Sequence, residues 1–192
     1  GDLKVASFNV LNYFTTLDEG ADICGPSGAM ECRGADTPQE LTRQRDKILA
    51  AMAEINADIF GLMEIENDKT LGPGEIPDYA VADLVDGLNS IFGTGTYDYI
   101  HTGAIGTDAI KVALLYKPGS VTPLGDDQVL TSAVDPRFND LKNRPTLAQT
   151  FIDHHTGQTF TVAVNHLKSK GSNCADVGDP DLNDGAGNCN LT

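Results

Sequence analysis

Tryptophan is absent from this sequence, aromatic residues make up only 6%, and no apolar run approaches the ~20 residues of a membrane-spanning helix. That last absence excludes a helix crossing a bilayer. No charged-then-apolar leader opens the chain at Gly1, so the expectation is that any targeting peptide was removed or never included. Positive charge is also scarce: 13 lysines and arginines face 28 aspartates and glutamates, a net charge of −15. A field of that sign repels a polyanion and excludes nucleic-acid binding through a broad basic face. An enzyme with a local basic cleft or bound divalent cations is still compatible with it, because either reverses the potential locally.

No C-x-x-C spacing occurs, which removes the usual zinc and thiol-redox motifs. The four cysteines form two sequence-local pairs, Cys24 with Cys32 around "CGPSGAMEC" and Cys174 with Cys189 around "CADVGDPDLNDGAGNC". Three connectivities are possible. The local one is favoured because loops this polar have little else to order them, and the pattern points to an oxidising, secreted setting. The chain's 192 residues, 40% of them hydrophobic, suit one sizeable domain better than two.

Periodicity supplies the elements. "LKVASFNVLNYF" alternates as a strand, with Val5, Ser7 and Asn9 on one face and Ala6, Phe8 and Val10 on the other. "TPQELTRQRDKILAAMAEINAD" begins a helix, with Thr37 as N-cap, Pro38 at the first position and Glu40 completing a capping box. Leu41, Ile48, Leu49, Met52 and Ile55 give it one apolar stripe. "DIFGLMEIEND" is a buried strand ending in carboxylates, and "YAVADLVDGLNSIF" is a second amphipathic helix. "TYDYIHTG" and "IKVALLYKPG" read as strands, and "LAQTFID" and "QTFTVAVNHLK" as a hairpin turning at Gly157. Early alternation and later local pairing predict an α/β fold with a mixed sheet.

Three strands end in polar residues: Asn9, Glu64 and His166. Ligand sites of α/β sheets gather beyond the carboxyl ends of strands. Glu64 offers a hard oxygen ligand, Asn9 an uncharged hydrogen-bonding amide, and His166 a proton donor or acceptor near neutral pH.

The segments "LKVASFNVLNYF", "DIFGLMEIEN", "IKVALLYKP", "NRPTLAQTF" and "VNHLKSKG" resemble, in order and approximate spacing, the endonuclease/exonuclease/phosphatase superfamily that contains DNase I. The "NYF", "NRP" and "NHLKSKG" wording is similar to its bacterial extracellular nuclease branch, of ExeM type. The resemblance implies a DNase I-like four-layer α/β sandwich, here mainly the first sheet and its helices. It further implies a secreted, divalent-metal-dependent phosphodiesterase of nucleic acid using magnesium or manganese, with calcium a further candidate, and no membrane partner.

By the same resemblance Glu64 and Asn9 hold the metal, His166 lies beside the scissile phosphodiester, and Arg144 contacts phosphate. Asp108 is expected to support them through a hydrogen bond. Asn165, Lys168 and Lys170 are expected as substrate contacts. The family's later G-D-x-N and S-D-H motifs have no convincing match; "GDPD" at Gly178 and "DHH" at Asp153 read as coincidences. Residues 1–192 therefore read as one domain that stops before those motifs and needs a C-terminal half or another chain to complete it. Two rivals are a phosphomonoesterase or phospholipid diesterase of the same superfamily, and a non-catalytic, calcium-stabilised binding module. The second would use Asp179, Asp181, Asn183 and Asp184.

Overall fold

The structure is a computed structural model that describes residues 3–70, 72, 77–169, 175 and 178. Its elements run β1 (Val5–Tyr13), β2 (Asp22–Cys24), β3 (Met30–Glu31), α1 (Pro38–Ile55), β4 (Ile59–Glu66) and α2 (Tyr79–Phe92). They continue with β5 (Asp98–Tyr99), β6 (Ile110–Tyr116), β7 (Val121–Pro123), β8 (Gln128–Leu130), β9 (Arg144–Asp153) and β10 (Thr159–His166). The helices and main strands lie where periodicity places them. The short strands β2, β3, β7 and β8 carry too few residues for a pattern and come from pairing alone.

α1 starts as its residues dictate. Thr37 is extended and its side chain accepts from the Glu40 backbone N–H, with Pro38 at the first turn. The Glu40 carboxylate reaches back one residue further than a capping box, accepting from the Asp36 N–H at 3.2 Å. Asn56 ends the helix in the left-handed conformation. Ile48, Leu49 and Met52 of α1 then pack with Val81, Leu84, Val85 and Leu88 of α2 on the outer face of the first sheet. Each such side chain, fully buried, stabilises the fold by about 1.5–3 kcal/mol.

The first sheet has the order β1-β4-β6-β5, with β1 and β4 parallel and the other pairs antiparallel. A second sheet, β10-β9-β7 with β8 also on β9, packs against its inner face. Ile59, Val112 and Leu114 meet Leu147, Phe151 and Val164 there. Gly61 sets the distance between sheets: a Cβ on it would sit 2.9 Å from Val164 Cγ2. The missing side chain therefore lets β10 close onto β4.

The Cys24–Cys32 disulfide is formed and buried against Phe14, Ala109 and Ile110. Cys174, Cys189, Lys170 and the acidic loop of Asp179, Asp181, Asn183 and Asp184 lie outside the described residues. Among the described residues no helix is long and apolar enough to cross a membrane.

Candidate active site at the strand ends

Alternation along β4 does not by itself bring Glu64 to the inner face. Gly61 and Met63 face the second sheet, so the next inward residue would be Ile65, with Glu64 pointing at the helices. A bulge inverts that parity. Between Met63 and Ile65 the register against β6 slips by one residue, and Glu64 adopts φ +62°. Ile65 then joins the helix-side core, and Glu64 turns toward the site. β1 has a matching irregularity between Asn9 and Tyr13, where Leu11 (φ 53°) and Asn12 (φ 51°) are also left-handed. Such conformations cost on the order of 1–3 kcal/mol each and persist only where surroundings impose them. Gln44 of α1 is one such support, donating its amide to the Leu11 carbonyl at 2.8 Å.

Glu64 meets His166 across the sheets, with Oε1 3.5 Å from Nε2. His166 stands opposite Arg144 in the β9–β10 ladder, at a second register slip. Arg144 forms an ion pair with Asp108, whose other oxygen takes Arg33 Nη2 at 2.8 Å. Asp108 is itself held in place by Asn67, fully buried at 0% exposure. The Asn67 amide donates to the carbonyls of Ile105 and Asp108 and accepts from the Ile105 N–H. The result is a linked set in which Glu64, His166, Arg144 and Asp108 share one corner of the molecule.

Burial and the neighbouring Arg144 cation push the His166 imidazole below its ordinary value, against weaker opposing pulls from Glu64 and Asp108. Both causes favour the neutral imidazole. Two nitrogens here, Arg144 Nε and His166 Nδ1, are buried without a hydrogen-bond partner among the described residues. Buried polar atoms are ordinarily satisfied, so two exceptions on facing residues of one ladder single out this corner. Beside Arg144 opens a cleft of about 370 Å³ lined by Thr107, Asp108, Lys142, Arg144 and Lys168, among others.

Asn9 lies next to this set, paired with Met63. Its side-chain oxygen accepts the Leu11 N–H at 2.8 Å, so the atom a metal would need is used on its own turn. Lys168 is 7% exposed and lines the cleft; its Nζ donates to the Ser169 carbonyl. Asn165 is held differently, its oxygen accepting from Thr146 Oγ1 at 2.8 Å. Asp153 and His154 sit at the far end of β9, about 30 Å of strand from Arg144, around a separate cavity of about 420 Å³. Sequence reading missed Arg33, Asn67 and Asn143. Asn143, 3% exposed, accepts the Lys168 N–H at 2.8 Å and ties the two strand ends together. It stands within "NRP", where only the arginine drew attention; for Arg33 no local signal exists.

No protein-family model matches this chain, nor does any curated protein. Solved structures do. An endonuclease/exonuclease/phosphatase from Bacteroides vulgatus aligns at TM-score 0.52 and 17% identity, over 86% of this chain and 52% of that one. An endonuclease/exonuclease/phosphatase family protein from Bacteroides thetaiotaomicron aligns at TM-score 0.54 and 19% identity, over 88% and 50%. At these identities the likeness is one of fold. The chain spans about half the length of either.

Proposed function

We propose that this chain carries part of the active site of a secreted, divalent-cation-dependent phosphodiesterase that hydrolyses nucleic acid. The observation that supports it best is the corner where Glu64, His166, Arg144 and Asp108 converge around two unsatisfied nitrogens. A phosphoryl group in the adjoining cleft meets Arg144, which lines it. Arg144's planar fork matches two non-bridging oxygens and stabilises the charge that develops on them during attack. An arriving phosphate anion would oppose Arg144's pull on the His166 imidazole, while burial, the larger cause of its lowered value, persists.

Among the described residues no three carboxylate, imidazole or thiolate groups gather as a cation site. What the chain offers is Glu64, with Asn9 beside it. With Asn9 Oδ1 engaged by Leu11 N–H, the donor this chain supplies is the Glu64 carboxylate, which fits magnesium or manganese because they need one or two carboxylates and complete their shell with water and phosphate oxygens. Such a cation would act as a Lewis acid on the phosphoryl group. The net charge of −15 makes it the more useful, since the overall field opposes a polyanionic substrate.

The proposal includes incompleteness. Among the described residues β1 and β10 each have a neighbour on one side only, and both open on the same groove, about 350 Å³ between Val5, Ser7, Gly61 and Val164. A completing segment adds strands to those edges and brings the carboxylate and amide that orient the attacking water. The chain alone is weakly active or inactive. The test is magnesium-dependent cleavage of plasmid DNA by the protein with its completing segment. Glu64→Gln and His166→Ala should each lower the rate by about 100-fold or more. Near wild-type rates in both overturn the assignment. Parallel assays on RNA, sphingomyelin and inositol phosphates separate nucleic acid from the other phosphoesters.

A further inference from the structure

The disulfide loop has no part in the proposed chemistry, yet it reaches the site. Arg33 follows Cys32 directly, so its backbone is fixed within one residue of a cross-link that is 1–2% exposed. From there its guanidinium grips Asp108 with both terminal nitrogens, Nη2 to Oδ1 at 2.8 Å and Nη1 toward Oδ2 at 3.5 Å. Asp108 Oδ2 is also the atom that pairs with Arg144. The Asp108 carboxylate is thus clamped from one side by Arg33 and presents its other side to Arg144. Arg144 in turn keeps Nε without a partner among the described residues, as His166, its ladder neighbour, keeps Nδ1.

We infer that Arg33 is a positioning residue for the anion site, holding Arg144 through Asp108, and that the Cys24–Cys32 disulfide is what holds Arg33. For its ligand the inference rests on the phosphoester reading above; for its geometry it does not. Arg144 must keep its fork orientation, and without Arg33 the Asp108 carboxylate that holds it would be tied mainly through Oδ1 to the Ala109 N–H at 2.8 Å, leaving the long side chain several rotamers. Fixing the carboxylate with a second guanidinium anchored on a covalent link removes that freedom. Arg33, with 35% side-chain exposure, is too open for its ion pair to matter much to stability. Its effect should fall on the orientation of Arg144.

The experiment is NMR on the labelled chain, following the Arg144 Nε–Hε and His166 ring signals during titration with inorganic phosphate. Arg33→Met should weaken phosphate binding roughly three- to five-fold, the scale of one partly exposed ion pair. Reduction of the wild type by dithiothreitol should match it. That step breaks the Cys24–Cys32 sulfur–sulfur bond and protonates both sulfurs, while the reductant closes its own disulfide. Reducing Arg33→Met should add nothing further, and Arg33→Lys should recover part of the loss. Thr15 and Thr16 amide signals, which depend on Glu66, confirm that each form is folded. Wild-type binding in Arg33→Met overturns the inference, as does reduction weakening Arg33→Met as much as the wild type. If phosphate leaves the wild-type His166 signal unmoved, the phosphoester reading falls. The inference is then decided by the heteronuclear NOE of Arg144 Nε–Hε: a drop in Arg33→Met supports it, and an unchanged value overturns it.

Discussion

Glu64 and Glu66 stand two residues apart on β4, and their surroundings differ in kind. Glu66 is 2% exposed and one of its oxygens accepts from Thr15 N–H at 2.8 Å, Thr15 Oγ1 at 3.1 Å and Thr16 N–H at 3.2 Å. Behind it lie Asn67, Asp68, Asp78 and Lys111, all nearly inaccessible. Asp78 pairs with Lys111 and accepts from the Thr102 and Gly103 N–H groups. Glu64 instead is partly open, strained, and next to two nitrogens with nothing to bind. The first cluster is satisfied apart from Asp68 Oδ2 and fixes loops; the second leaves two nitrogens without partners among the described residues. The two are coupled, because Asn67 of the first holds Asp108 of the second.

The largest effect that tests this contrast lies in the saturated cluster. Lys111→Met leaves Asp78 buried without its cation and should cost about 3–5 kcal/mol of folding stability, measured by urea denaturation. A loss below about 1 kcal/mol would mean that the cluster is not the scaffold described here. Next in size is the pair of glutamates. Glu66→Gln should lower stability by about 2 kcal/mol through its weakened acceptor, whereas Glu64→Gln should stay within about 1 kcal/mol of wild type. Equal losses in the two variants would erase the distinction.

The smallest effect concerns pH. Burial raises the Asp68 carboxyl to about 7, with repulsion from Glu66 adding to it, and Asp68 Oδ2 has no partner among the described residues. Because the folded protein favours the protonated form, the associated stability is fully present below the ordinary carboxylate range. It is lost as pH rises through about 7. Asp68→Asn should remove that decline, making the variant more stable relative to wild type at pH 8 than at pH 4 by on the order of 1–2 kcal/mol. Denaturation midpoints at the two pH values measure it, and an unchanged slope would show that Asp68 titrates as an exposed carboxyl.

The helices and the hairpin were legible because their signals are local. Thr37, Pro38 and the stripe through Ile48, Leu49 and Met52 fix α1 within one segment, and Gly157 turns the hairpin within another. The disulfide between Cys24 and Cys32 was legible for the same reason. The site was legible in part. Its strand-end position drew attention to Glu64 and His166, but period-two alternation along β4 points Glu64 the wrong way.

The sequence by itself therefore determined the order of the main strands and the helices, the N-cap of α1, and which strands end in polar groups. These depend on interactions between residues a few positions apart. Tertiary structure decided that a bulge swings Glu64 inward, that Gly61 admits β10, and that Arg33, 75 residues from Asp108, completes a chain of charges to Arg144. A bulge is set by register against neighbouring strands and an ion pair by packing. Neither leaves a period or a spacing along the chain.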